Sequence, residues 1–160
     1  MSVPSPRVMV LGGPNLGRLG RREPGIYGTR TWDELAAAAA RWGVQNDVDV
    51  LVRQDDSEGG LVQHIHQAED DCDGLVLNAA AYTHTSVAVR DAVAALSIPC
   101  VEWHISNPTA REEFRSTNFL TGVVHAGVFG FGTEGLFLAL HGLRTLLVAG
   151  NTPPARGSAD

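Results

Sequence analysis

Arg7-Val8-Met9-Val10-Leu11-Gly12-Gly13-Pro14-Asn15-Leu16 is the stretch on which the fold turns. Its opening apolar run is short and closed by Gly and Pro, which predicts a buried strand delivering Asn15 to its mouth. A long loop follows, with Arg21-Arg22-Glu23-Pro24-Gly25-Ile26-Tyr27-Gly28 at its end. Its Gly and Pro content argues against helix. Polar loops carried on a rigid scaffold are where catalytic groups collect. A Tyr near Arg matters chemically because cationic neighbours favour the phenolate, the form that can take a proton.

Outward from this strand, helical and extended patterns alternate. Thr31-Trp32-Asp33-Glu34 fits a capping box, and the Ala-rich Leu35–Trp42 behind it predicts a helix stopping at Gly43. Val48–Val52 reads as a second strand, and Leu61, Val62 and Ile65 share one face of the next helix. Gly74–Leu77 is a third strand, Val87–Leu96 a helix, Cys100–Trp103 a fourth strand and Glu112–Phe114 a short helix after Pro108. Val123 and Val124 mark a fifth strand, and Glu134–Val148 is the last helix. Strands alternating with helices make right-handed βαβ units, hence an α/β doubly wound, five-stranded parallel sheet with helices on both faces. Residues 1–149 are expected to form a single catalytic domain, and the Pro-, Gly- and Ser-containing stretch 150–160 a disordered tail.

Composition excludes several classes. The chain has 160 residues and a net charge of −6, from 12 basic and 18 acidic side chains, which opposes non-specific nucleic-acid binding. Two cysteines, Cys72 and Cys100, make neither a disulfide framework nor a C-x-x-C metal or redox site. No signal-peptide core or spanning apolar run is present, so a cytoplasmic protein away from membranes is expected.

The polar residues gather at one edge. Asn15 follows the first strand, Gln54 the second, Asn78 the third, and Glu102 and His104 the fourth. Ligands of open parallel sheets bind beyond the carboxyl ends of the strands. Each residue alone has a plainer reading, Asn78 as a turn closer and His104 as a half-buried histidine. Their joint placement favours a site.

Four blocks now carry a resemblance: Gly13-Pro14-Asn15-Leu16 with Arg22-Glu23-Pro24 and Tyr27-Gly28; Gln54 to Gly59; Asn78 with Thr83-His84-Thr85-Ser86 and Arg90-Asp91; and Glu102 to Asn107 with Ala110-Arg111-Glu112-Glu113-Phe114-Arg115. In these the chain resembles the type II 3-dehydroquinate dehydratases, flavodoxin-like enzymes of the shikimate pathway, over nearly its whole length. The resemblance implies a lyase that dehydrates 3-dehydroquinate to 3-dehydroshikimate through an enolate. It implies Tyr27 as general base with Arg22 beside it, Asn15 as stabiliser of the enolate, His104 as general acid and Glu102 as the carboxylate orienting it. A negative phenolic oxygen needs burial with more than one cation, since a single exposed Arg supplies too little. Ile105 and Ser106 are implied to hold the substrate carboxylate, and Asn78, His84 and Arg115 to read the ring hydroxyls. Arg111 and Asp91 are further substrate-binding positions, Asp91 lent across a subunit boundary. The implied partners are a small carboxylate substrate and further copies of the chain, in a trimer-based homododecamer. Neither metal nor other cofactor is implied.

Departures from the family pattern are Gly12, Asp55, Ala79-Ala80-Ala81, Trp103, Thr109, Ser116-Thr117-Asn118-Phe119, Glu134 and Leu136. They leave open an analogue such as aminodehydroquinate, with Trp103, Thr109 and Glu134 expected in the site wall. A non-catalytic ligand-binding relative is the remaining alternative, opposed by the presence of Tyr27, Arg22 and His104. Gly130-Phe131-Gly132-Thr133-Glu134-Gly135 matches a G-x-G-x-x-G string, but no strand follows to carry an acidic ribose ligand. His64 and His66, two apart on a helix, point to different faces and do not share a metal.

Overall fold

The computed structural model describes residues 4–21 and 23–150. Arg22 and the expected tail beyond residue 150 lie outside them. Five strands, β1 (Arg7–Gly12), β2 (Asp49–Gln54), β3 (Gly74–Asn78), β4 (Cys100–His104) and β5 (Ala126–Phe129), make one sheet in the order β2-β1-β3-β4-β5. Every pairing is parallel. This is the flavodoxin-like doubly wound arrangement, with its switch point between β1 and β3.

Side chains alternate across the sheet, as a period of two requires. Val8, Val10, Val101 and Trp103 pack with Leu35 and Leu140 in one apolar layer, beneath α2 (Trp32–Gln45) and α5 (Gly135–Val148). Met9, Leu11, Leu75 and Leu77 pack with Leu61 and Val89 in the other, beneath α3 (Glu58–Asp71) and α4 (Val87–Ala94). The central strands are therefore largely apolar on both faces, with Asn78 and His104 at their carboxyl ends and Glu102 as a buried polar residue within β4.

Helix starts follow the sequence closely. The Thr31 hydroxyl accepts from Glu34 N at 3.2 Å, and Glu34 Oε2 accepts from Thr31 N at 2.9 Å, completing the capping box. Boundaries elsewhere differ for local reasons. α2 runs through Gly43 to Gln45. Gly43 serves close approach rather than termination, because a Cβ there would lie 2.5 Å from the Val48 carbonyl oxygen. α4 stops at Ala94, two residues short of Leu96. β2 starts one residue late and extends to Gln54, pairing it with Gly12. The expected helix at 112–114 is a 3-10 turn, Glu113–Ser116, preceded by another at Pro108–Ala110.

Two expectations are corrected outright. The fifth strand is not at Val123 and Val124: both amides donate to the Leu120 carbonyl in a turn, and Val123 is buried there as core. The strand is Ala126-Gly127-Val128-Phe129, a mostly exposed edge without an apolar run. The loop carrying Tyr27 also contains helix, a single turn, α1 (Pro24–Tyr27), with Pro at its first position. Pro is tolerated there because that N–H has no partner within the helix.

The Gly12 departure has a packing cause. A Cβ at Gly12 would sit 2.5 Å from the Trp32 ring, so the indole occupies the room a larger residue would need. Next to it, a Cβ at Gly13 would meet the Ala79 backbone at 2.6 Å, which holds the ends of β1 and β3 close together.

Candidate active site

A cavity opens at the carboxyl ends of β1, β3 and β4. It is lined by Asn15, Tyr27, Asn78, His84, His104, Ile105, Ser106, Arg111 and Arg115, all expected site residues, together with apolar walls from Leu16, Leu19 and Pro108. Glu102 lies behind it and Asp91 outside it, the latter exposed on α4 and paired with Arg90 at 2.7 Å. Arg22 lies outside the described residues.

On the first side, β1 ends in a turn that sets Asn15 at φ 69°, ψ −5°. Asn tolerates this left-handed region better than most residues. Its amide donates to Asp56 Oδ1 at 2.9 Å, and Gln54 Nε2 donates to the same oxygen at 2.9 Å and to the Gly13 carbonyl at 3.1 Å. The loop after β2 therefore braces the turn. Asn78 does close a turn, its Oδ1 accepting from Ala80 N at 3.1 Å, and it also faces the cavity.

Tyr27 meets a cation from far along the chain. Arg111 Nη1 donates to the Tyr27 oxygen at 2.9 Å and lies 3.3 Å from Ser106 Oγ. Behind it, one carboxylate serves two cavity arginines: Glu112 Oε2 is 2.6 Å from Arg115 Nε and 3.7 Å from Arg111 Nε. The hydrogen bond from Arg115 is the main cause holding the exposed Glu112 carboxyl below its ordinary value.

The opposite wall is built by β4. Glu102 and His104 are two apart on a strand and so project to the same face, away from the core-facing Trp103. His104 Nε2 and Glu102 Oε1 are 2.7 Å apart, with Glu102 fully buried. Burial alone would push the Glu102 carboxyl up. Hydrogen bonds and charge from His104, and donors from Asn118 and Thr121, outweigh it and hold the carboxyl below the ordinary range. The acceptor is therefore a carboxylate and Nε2 carries the proton, which leaves Nδ1 as the second ring nitrogen. The His104 ring also lies 5.5 Å from the Phe129 ring, across the pairing of β4 with β5.

His84 is pushed down, chiefly by burial, against the raising effect of its bond to the Thr117 carbonyl. That bond, from Nδ1 at 2.7 Å, leaves Nε2 of the neutral ring as an acceptor.

The expected wall residues Trp103, Thr109 and Glu134 do not line the cavity. Trp103 is core, its indole N–H directed at the Gly132 carbonyl at 3.4 Å. Thr109 Oγ1 donates to Asn107 Oδ1, and Glu134 is tied to Arg30 at 2.9 Å. Residues the sequence reading did not single out for the site are Asn118 and Thr121, whose side chains reach Glu102. The glycine string at 130–135 joins β5 to α5 and lies outside the cavity lining. Among the described residues, no group of three or more His, Cys, Asp or Glu is placed to hold a metal ion, and no helix is long and apolar enough to cross a membrane.

A parallel α/β domain with a cation-bound tyrosine facing a carboxylate-backed histidine across one cavity is the frame of a proton-transfer enzyme. The family model for Dehydroquinase class II matches residues 6–144, and the chain belongs to that family. It is 51% identical over 133 residues to the 3-dehydroquinate dehydratase of Mycobacterium tuberculosis, covering 83% of this chain and 90% of that one. It is 46% identical to the 3-dehydroquinate dehydratase of Rhizobium johnstonii, covering 87% and 96%. The type II dehydroquinase of Propionibacterium acnes superposes with a TM-score of 0.86 at 49% identity, covering 90% of this chain and 99% of that one.

Proposed function

We propose that this chain is the shikimate-pathway lyase that removes water from 3-dehydroquinate to give 3-dehydroshikimate, with residues 1–149 as its single catalytic domain. Tyr27 takes the proton from the carbon beside the ketone. Arg111, expected at the substrate, also acts here as the cation on the phenolic oxygen, and Arg22 is the second cation in this reading. Asn15 stabilises the enolate, as an oxyanion donor does. His104 then gives its proton to the departing hydroxyl, with Glu102 fixing the ring. The carboxylate of the substrate is held at Ile105 and Ser106, and its ring hydroxyls by Asn78, His84 and Arg115.

The observation that carries this reading is the placement of Tyr27, under the Arg111 donor at 2.9 Å, in the same cavity as His104. Of the altered residues that leave the amino-analogue alternative open, Trp103, Thr109 and Glu134 are not in the cavity lining, whereas Ala80 and Ala81 are. We take the working assembly to be a trimer-based dodecamer in the cytoplasm. Exposed Phe114 and Phe131, and the exposure of Asp91 away from its own cavity, support association between copies. The test is direct: purified protein mixed with 3-dehydroquinate is followed by absorbance of the conjugated enone product. A steady rise is expected, and a flat trace at micromolar protein overturns the reading.

A further inference from the structure

The Ser116–Phe119 run departs from the family pattern and has no role in the reaction as described so far. It nonetheless ends against the most buried charged group of the site. Asn118 Nδ2 donates to Glu102 Oε1 at 2.7 Å, and Thr121 Oγ1 donates to Glu102 Oε2 at 3.0 Å. The amide of Asn118 cannot turn over. Its Oδ1 accepts from the backbone N–H groups of Leu120 at 2.7 Å and Thr121 at 2.9 Å, so only the NH₂ end can face Glu102. The segment is itself tied to the cavity wall, since Phe119 N donates to the Thr83 carbonyl at 3.0 Å and His84 Nδ1 donates to that of Thr117.

A carboxyl with no exposure stays ionised only if its oxygens are supplied with donors. His104 alone supplies one. We propose that Asn118 and Thr121 are positioning residues for the dehydration, a backbone-locked clip that keeps Glu102 an acceptor on both oxygens and so fixes the Nε2–H face of His104 inward and Nδ1 as the nitrogen available to substrate. This rests on the reading of His104 as the acid. Neither residue lines the cavity, so neither is a binding group. Among the described residues, the titratable or charged groups sharing the cavity with His104 are His84, from the turn after β3, and Tyr27, Arg111 and Arg115; β5 presents Phe129, which does not titrate.

The experiment is the pH profile of kcat and KM for 3-dehydroquinate in Asn118→Asp, Thr121→Val, Thr121→Ser and His104→Ala. Asn118→Asp retains the acceptor for the two backbone amides but turns a donor into a like charge, and two adjacent carboxyls cannot both ionise freely. Its kcat is expected to fall about 10- to 100-fold at neutral pH, part of the ~10²–10⁴ that acid–base catalysis supplies. KM is expected to stay unchanged, with the acid limb of the profile moved to higher pH. Thr121→Val, close in shape but without the hydroxyl, moves the limb the same way by less, and Thr121→Ser restores it. A loss of kcat with the acid limb in place, a proportionate rise in KM, or no change in any of these variants overturns the proposal. His104→Ala separates the two claims: if it retains turnover, the reading of the site falls. If it is inactive while the acid limb of the other variants stays put, only the clip falls.

Discussion

The two groups proposed to handle protons in the cavity are held by opposite means. His104 and Glu102 are consecutive inward positions of a central strand, fully or nearly buried, and the Glu102 donors among the described residues come from within 19 residues of it. Tyr27 sits on a one-turn helix between loops, half-buried, and its cation arrives from 84 residues away. The acid side is thus fixed by the sheet as it forms. The base side exists only when two separate loops meet over the substrate pocket. Such loop-on-loop contacts belong to the low-stability end of a fold, where opening and closing are easy.

This contrast predicts that the base side is the more sensitive in turnover. Arg111→Ala should lower kcat by about 10²-fold, the scale of losing one donor to a charged reaction centre, while leaving thermal stability nearly unchanged. Rates and melting curves of the same preparation check this, and an undiminished kcat would show that Tyr27 works without that cation.

Arg115→Ala should act on binding. Its loss removes a hydrogen bond to a charged or buried partner, about 1.5–3 kcal/mol, or an affinity weaker by roughly 10- to 100-fold. Calorimetric titration with a substrate analogue reads this, and an unaltered affinity removes Arg115 from the pocket roles.

The acid side should show itself in stability instead. Glu102 is held below its ordinary value, about 4.3 for a free Glu. Its contribution is therefore present in full above that value and is lost as pH falls through the lower folded-state value. Relative to wild type, Glu102→Gln should be less stable at neutral pH, and the gap should close on acidification. Urea unfolding at both pH values measures it; a gap independent of pH contradicts the burial and pairing described.

Much of this architecture was legible in the sequence, and the gaps have physical causes. β1 and β3 read as apolar runs because they are buried on both faces, and β4, equally buried, sets Glu102 and His104 among its apolar residues. β5 is an exposed edge whose Ala-Gly-Val-Phe carries no such run, while the nearby Val123 is apolar because it fills core from a turn. That Tyr27 and His104 share one cavity could be anticipated from the motifs in which they lie. The pairing of Tyr27 with Arg111 could not, since nothing local to either announces a partner across the chain. Asn118 was hidden for a different reason: it sits in a run that departs from the family, and its value lies in an amide orientation set by backbone N–H groups. Trp103 and Glu134 misled in the opposite direction. Both looked unusual beside the family pattern, yet one is core and the other a surface ion pair.

The central claim is a division of labour, with Tyr27 removing the proton and His104 releasing the hydroxyl. Exchange in heavy water separates the two steps, because the proton beside the ketone is lost to solvent whenever the enolate forms. 3-Dehydroquinate incubated in D₂O with His104→Ala should gain deuterium at that carbon while yielding almost no product, and with Tyr27→Phe should gain neither deuterium nor product. Exchange that persists in Tyr27→Phe, or elimination that persists in His104→Ala, would contradict the account.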